Sequence, residues 1–220
     1  MRRYRTIADL PAVIPVFPLA GALLLPHGQL PLNIFEPRYL AMVEATMAGK
    51  RMIGMIQPRD ADEGNSHPAL AEVGCAGRIT SYSETEDGRY LITLSGIARF
   101  RIVEERNTST PFRQCAVDYA AYARDLAVPA AEPTIARDRL IDALKPYLAS
   151  RNMQTDWQSV KDAPAEMLVN ALSTICPFAP AEKQALLEAP DVAKRANVLI
   201  ALIEMANASA KIPTGSQPIN

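Results

Sequence analysis

The chain has 220 residues, with 23 Lys and Arg against 24 Asp and Glu, so its net charge is −1. That balance argues against the basic footprint of a nucleic-acid binder. No apolar run approaches the ~18 residues a membrane span needs. Three cysteines far apart in sequence favour reduced thiols and a cytoplasmic setting.

The N-terminus carries arginines at 2, 3 and 5, but Asp9 and Pro11 follow instead of an apolar core. It does not read as a signal peptide. From Ile14 to Tyr39 five prolines punctuate short apolar runs. Proline fixes φ and donates no hydrogen bond, so this stretch is expected as short strands with sharp corners. Pro37 then suits the first position of a helix. Leu40, Val43 and Met47 give that helix an apolar stripe, and Gly49 a stop. Strands are expected over 50–57 and 72–83, with a loop at 60–68 between them. Asp87-Gly88 suits a hairpin turn. The alternation of Tyr90, Ile92 and Leu94 is interrupted at Gly96, which predicts a bulge or bend. Two further strands are expected over 99–106 and 112–122.

Near residue 124 the period changes from two to 3.6. Ala136, Leu140, Ala143, Leu144, Tyr147 and Leu148 predict one helix, with Pro146 expected to kink it or end it early. Thr155 to Gln158 fits a capping box. Met167, Leu168, Ala171, Leu172 and Ile175 predict the apolar face of a second helix. A short helix should open at Pro180, and Asp191 should cap the last. The expected organisation is a strand-rich unit over 1–123, a linker over 124–133, a helical unit over 134–206 and a polar tail over 207–220. This is an α+β chain.

The run Ile14 to Tyr39, with Leu40 to Met47, Glu72-Val-Gly and Leu94 to Ile102, resembles the Lon-protease N-terminal domain family. The likeness resumes from Pro180 to Met205 and so spans most of 12–206. It implies a PUA-like β pseudo-barrel with one inserted helix, followed by an α-helical bundle. It also implies a non-catalytic module that recognises unfolded or flexible polypeptide, with a protease or chaperone as a further partner. An RNA-binding PUA-like module is the alternative.

The residues themselves offer little chemistry. There is no Gly-x-x-x-x-Gly-Lys-Ser/Thr loop for ATP phosphates. Full Lon proteases carry an ATPase and a Ser–Lys protease, and neither is expected here. His27 sits in a turn and His67 in a polar loop, and two histidines with three scattered thiols make no zinc pattern. No catalytic residue, cofactor or metal is assigned. The candidate peptide-binding residues are Phe35, Glu36, Arg38, Tyr39 and Met42. Two readings of Phe35 to Tyr39 stand side by side. Its aromatics and charges border a peptide site, or they anchor the strand–helix corner, with Glu36 capping the helix or pairing with Arg38. Met42, Met47, Met52 and Met55 form either an adaptable apolar surface or core filling. Arg99, Arg101 and Arg106 are expected on a solvated strand face, and Trp157 as a core anchor.

Overall fold

The structure, a computed structural model, describes residues 4–59, 67–127 and 131–210. Six strands form a single sheet: β1 (Val13–Pro18), β2 (Gln29–Ile34), β3 (Met52–Ile56), β4 (Val73–Glu84), β5 (Tyr90–Arg106) and β6 (Gln114–Asp118). Five of them close a ring. β1 pairs in parallel with β3, and the β3–β4, β4–β5, β5–β6 and β6–β1 ladders are antiparallel. The expected pseudo-barrel is therefore present. β2 stands outside the ring, paired along the first part of β5 from Gln29 opposite Ser95 to Ile34 opposite Tyr90.

β5 is one continuous strand where two were expected. Gly96 is the reason. Ala76 pairs with Ala98 and Gly77 with Gly96, so Ile97 is bulged out without ending the strand. A Cβ on Gly96 would lie 2.0 Å from the Leu25 carbonyl oxygen. The backbone therefore approaches so closely that no side chain fits. The contact is locked by two hydrogen bonds: Gly96 N–H donates to Gly28 O at 2.9 Å, and His27 N–H donates to Gly96 O at 3.0 Å. His27 takes a positive φ of 62° in this turn. The expected hairpin at Asp87-Gly88 forms, with Gly88 at φ 77°.

Phe100 fills the barrel centre and is fully buried. Its ring explains a glycine in β4, since a Cβ on Gly74 would stand 2.4 Å from the Phe100 Cζ. Ile14, Val16, Met52, Ala76, Ala98 and Cys115 share that core. The inserted helix α1 (Pro37–Ala48) starts at proline as expected. It buries Tyr39, Met42, Val43 and Thr46, an i, i+3, i+4, i+7 face rotated slightly from the expected stripe.

Five helices follow: α2 (Arg137–Ala149), α3 (Trp157–Asp162), α4 (Ala165–Ile175), α5 (Pro180–Glu188) and α6 (Val192–Ala210). The chain divides into two compact units, Met1–Pro129 with Thr174–Glu188, and Ala130–Ser173 with Ala189–Asn220. The expected boundaries shift in three places. A 3-10 turn over Ala120–Leu126 runs past residue 123, and residues 128–130 of the expected linker lie outside the described residues. α5 groups with the barrel, because the Gln184 amide donates to Val73 O at 3.1 Å and Arg99 donates to Leu187 O at 3.2 Å. α6 continues to Ala210, four residues into the expected tail, whose remainder lies outside the described residues.

In the helical unit α2 packs against α6. The Asn207 amide donates to Ala143 O at 2.9 Å, and Arg139 grips Glu204 through two bonds of 2.9 and 2.8 Å. Pro146 does not end α2, which runs three residues further. The cap of α3 is Asp156 rather than Thr155, its carboxylate accepting from Gln158 N–H at 2.9 Å. Trp157 is half-buried, so it is not the expected core anchor. α4 turns a different face inward. Ala165, Leu168, Val169 and Ser173 are buried, while Met167 and Ile175 are exposed. The buried face takes in the polar Asn170 and Ser173, so apolar periodicity alone did not fix the buried side. Asp191 accepts from Lys194 N–H at 2.7 Å at the start of α6, as expected of a cap.

Candidate functional site

The Phe35 to Tyr39 corner is built by chain direction. β2 ends at Ile34, Pro37 opens α1, and Glu36 stands at the N-cap with extended backbone. Its carboxylate makes no capping hydrogen bond. It accepts instead from Arg38, from Nε at 3.0 Å with Nη2 at 2.9 Å. The Arg38 guanidinium lies 4.6 Å over the Tyr39 ring. Tyr39 is buried, 4.2 Å from Phe17 between ring centroids. That burial pushes its phenol above the ordinary tyrosine range, against the opposing charge of Arg38.

The five candidate residues separate. Arg38 and Tyr39 line a cleft of about 420 Å³. Phe35 is 61% exposed and faces Arg89, whose guanidinium is 5.8 Å from its ring. Phe35 and Glu36 are not among the cleft's walls. Met42 is fully buried, so it is a core residue and not a contact residue. Met52 and Met55 are buried as well, which leaves no methionine surface of the kind considered. The helix face that carries Met42 is the one α1 needs for its own packing.

The opposite wall was missed in the sequence. It is the β5–β6 hairpin, from Glu105 to Arg113. Arg113 grips Glu105 with two hydrogen bonds of 2.6 Å and donates to Pro68 O at 2.7 Å. His67 Nε2 lies 3.3 Å from the same carboxylate. The bonds from Arg113 hold Glu105 below the usual carboxylate range, against the smaller effect of burial. Thr110 ties the hairpin together, donating to Phe112 O at 2.9 Å and accepting from Gln114 at 3.2 Å. Phe112 is buried beneath it. The available signal was an aromatic directly after the Thr108-Ser-Thr-Pro111 turn.

Thr110 and Phe112 also line a second hollow of about 370 Å³. Val13, Pro15, Ala45 and Thr46 form its other side. The first hollow meets the first turn of α1 and the second meets its last turn. The two hollows share Thr110 and Phe112 in their linings. The first hollow exposes more polar than apolar surface and has charged residues in its lining, whereas the second is mainly apolar.

The rest of the barrel offers little chemistry. The three cysteines are buried free thiols, and burial pushes Cys115 up to about 11. Among the described residues no group of three His, Cys, Asp or Glu could hold a metal ion. None of the described helices is long and apolar enough to cross a membrane. Arg99 is not on a solvated face. It is buried against Asp125 with bonds of 2.8 and 2.7 Å, and Tyr122 stacks on it at 4.6 Å.

The profile of the ATP-dependent protease La (LON) substrate-binding domain matches residues 13–205. The chain belongs to the Lon substrate-binding domain family. Lon protease 2 of Sorangium cellulosum is 26% identical over 201 residues, covering 86% of this chain and 24% of that protein. The Lon protease of Anaeromyxobacter dehalogenans is 30% identical over 97 residues, or 44% of this chain and 12% of that protein. The chain thus spans about a quarter or less of these relatives. Two solved structures share the fold. The Lon N-terminal domain protein of Xanthomonas campestris matches with TM-score 0.58 and 21% identity, over 86% of this chain and 97% of that one. The N-terminal domain of Mycobacterium avium complex Lon protease gives TM-score 0.60 and 19% identity, over 87% and 97%. As a member of this family the chain is a substrate-binding module.

Proposed function

We propose that this Lon-type domain binds unfolded or flexible polypeptide segments in the groove along α1, without breaking bonds. The observation that carries this reading is the pair of linked hollows sharing Thr110 and Phe112. An extended chain needs a furrow longer than one side chain, and an apolar floor supplies affinity that tolerates many sequences.

Strand addition is the other common mode, and β2 is its natural candidate because it is paired on one side only. Pro31 sits in the middle of that strand. A proline is tolerated there when its missing donor faces away from the ladder, which removes a donor from the free edge. The groove is therefore favoured over the edge.

A module that must release its clients binds weakly, with Kd on the order of micromolar, or about −8 kcal/mol. The test is titration of a fluorescent, unfolded, apolar-rich peptide into the purified chain, with a folded protein as control. Saturable micromolar binding of the peptide alone is expected. Equal or stronger binding of the folded control, or no peptide binding, overturns the reading.

A further inference from the structure

The described lining of the first hollow, the first lobe of the groove, is rich in cations. Among the described residues that line it are three arginines, Arg38, Arg106 and Arg113, and one carboxylate, Glu105. Arg113 is committed, since Glu105 holds it through both oxygens. The other two are held less firmly. Arg38 pairs with Glu36 at 2.9 Å and Arg106 with Glu104 at 3.3 Å. The arginine side chains are 42% and 49% exposed, and their carboxylate partners are exposed too. Neither Glu36 nor Glu104 lines the cleft. Exposed pairs of this kind are held weakly, so their cations exchange one carboxylate for another at little cost. Beside these cations lie the half-buried Pro18 and the edges of the buried rings of Tyr39 and Phe112, a small apolar bed.

Positive rim and apolar bed within one cavity call for a ligand with both complements. We propose that the first lobe selects segments carrying a carboxylate next to an apolar side chain. The inference rests on the peptide-binding reading above and names its substrate class. The apolar side chain lies against Tyr39 and Phe112, and the aspartate or glutamate one or two residues away draws Arg38 and Arg106 toward it. Guanidinium–carboxylate bonds give this contact direction as well as attraction. A lysine at the same place meets two like charges and is disfavoured.

The test uses one unfolded, apolar-rich peptide in three versions, with Asp, Asn or Lys beside its main apolar residue. Affinities are measured on the full chain and on Arg38→Gln, Arg106→Gln and the double variant, each checked for an unchanged melting curve. The Asp version should bind about three- to tenfold tighter than the Asn version, and the Lys version weakest. Raising salt from about 50 to 500 mM should shrink the Asp advantage, because these cations face solvent. Each single variant should reduce that advantage and the double variant should remove it. Equal binding of Asp and Asn versions overturns the inference and leaves the peptide-binding reading standing. So does an Asp preference that survives in the double variant. If no version binds, both readings fall together.

Discussion

Arg99 with Asp125 and Arg113 with Glu105 are both two-pronged arginine–carboxylate pairs in the barrel unit, yet they occupy opposite settings. The side chains of the first pair are 5% and 8% exposed, those of the second 12% and 35%. Arg99 draws three surroundings together: Asp125 from the 3-10 turn after β6, the carbonyl of Leu187 on α5, and the face of Tyr122. Burial alone would lower its pKa, but the bonds to Asp125 raise it above the ordinary arginine value. Arg113 instead ties its own hairpin together and reaches Pro68 O across the cleft lining, leaving part of its carboxylate partner in water. The same chemistry thus closes a fold in one place and shapes a site in the other. The deciding variable is how much water the pair keeps, because a sealed charge that loses its partner has nowhere to turn.

Breaking the sealed pair should do the most damage. Asp125→Ala leaves a buried guanidinium uncompensated and should cost about 3–5 kcal/mol. Urea unfolding followed by far-ultraviolet circular dichroism reads this, since the only tryptophan, Trp157, lies in the helical unit. A loss under about 1 kcal/mol would show that water reaches this pair as it does the other.

Glu105→Gln attacks the open pair and should cost less, about 0.5–1.5 kcal/mol after allowing for solvent screening. The same pair predicts a pH dependence. Glu105 is depressed in the folded state, so its contribution is complete above the ordinary glutamate value of about 4.3. It is lost as pH falls from there through the lower folded value. The stability gap between the parent and Glu105→Gln should therefore be constant near neutrality and close on acidification. A gap that widens in acid would contradict the assignment.

Arg38→Ala is the mildest change. Its pair with Glu36 is exposed, so stability should move by no more than about 0.5 kcal/mol. Peptide affinity should fall several-fold, because Arg38 lines the groove. Normal melting with unchanged peptide affinity would remove Arg38 from the site.

The sequence made the barrel legible wherever local chemistry dictates geometry. Pro37 and Gly49 bracket α1, Gly88 marks the hairpin, and Gly96 marks the bulge. It was silent where the outcome depends on partners distant in the chain. Arg99 alternates with Arg101 like any solvated strand residue, and nothing local announces Asp125 twenty-six residues on. The helical unit misled in the same way. Met167 and Ile175 look like core, but α4 buries the polar Asn170 and Ser173 and leaves these two exposed, a choice made by its neighbours. Of the residues that line the first hollow, Arg38 and Tyr39 were legible because they sit beside a proline-marked helix start. Glu105, Phe112 and Arg113 were not, because their hairpin borders the cleft only where β6 pairs with β1, distant in the chain. Met42 was misplaced because a methionine at helical spacing fits a surface and a core equally well.

The ring of strands carries a kinetic consequence. The β6–β1 ladder joins Val13 to Ala116, roughly a hundred residues apart. Contacts of such long range are slow to form, because the entropy of closing the loop is lost before any pairing is gained. The groove depends on this closure, for Val16 and Pro18 lie on β1 and Glu105 to Arg113 on the far hairpin. A copy emerging from synthesis holds every residue of the groove before it holds the groove. Until that ladder closes, a chain has no groove, and on the proposed reading it cannot yet bind a peptide.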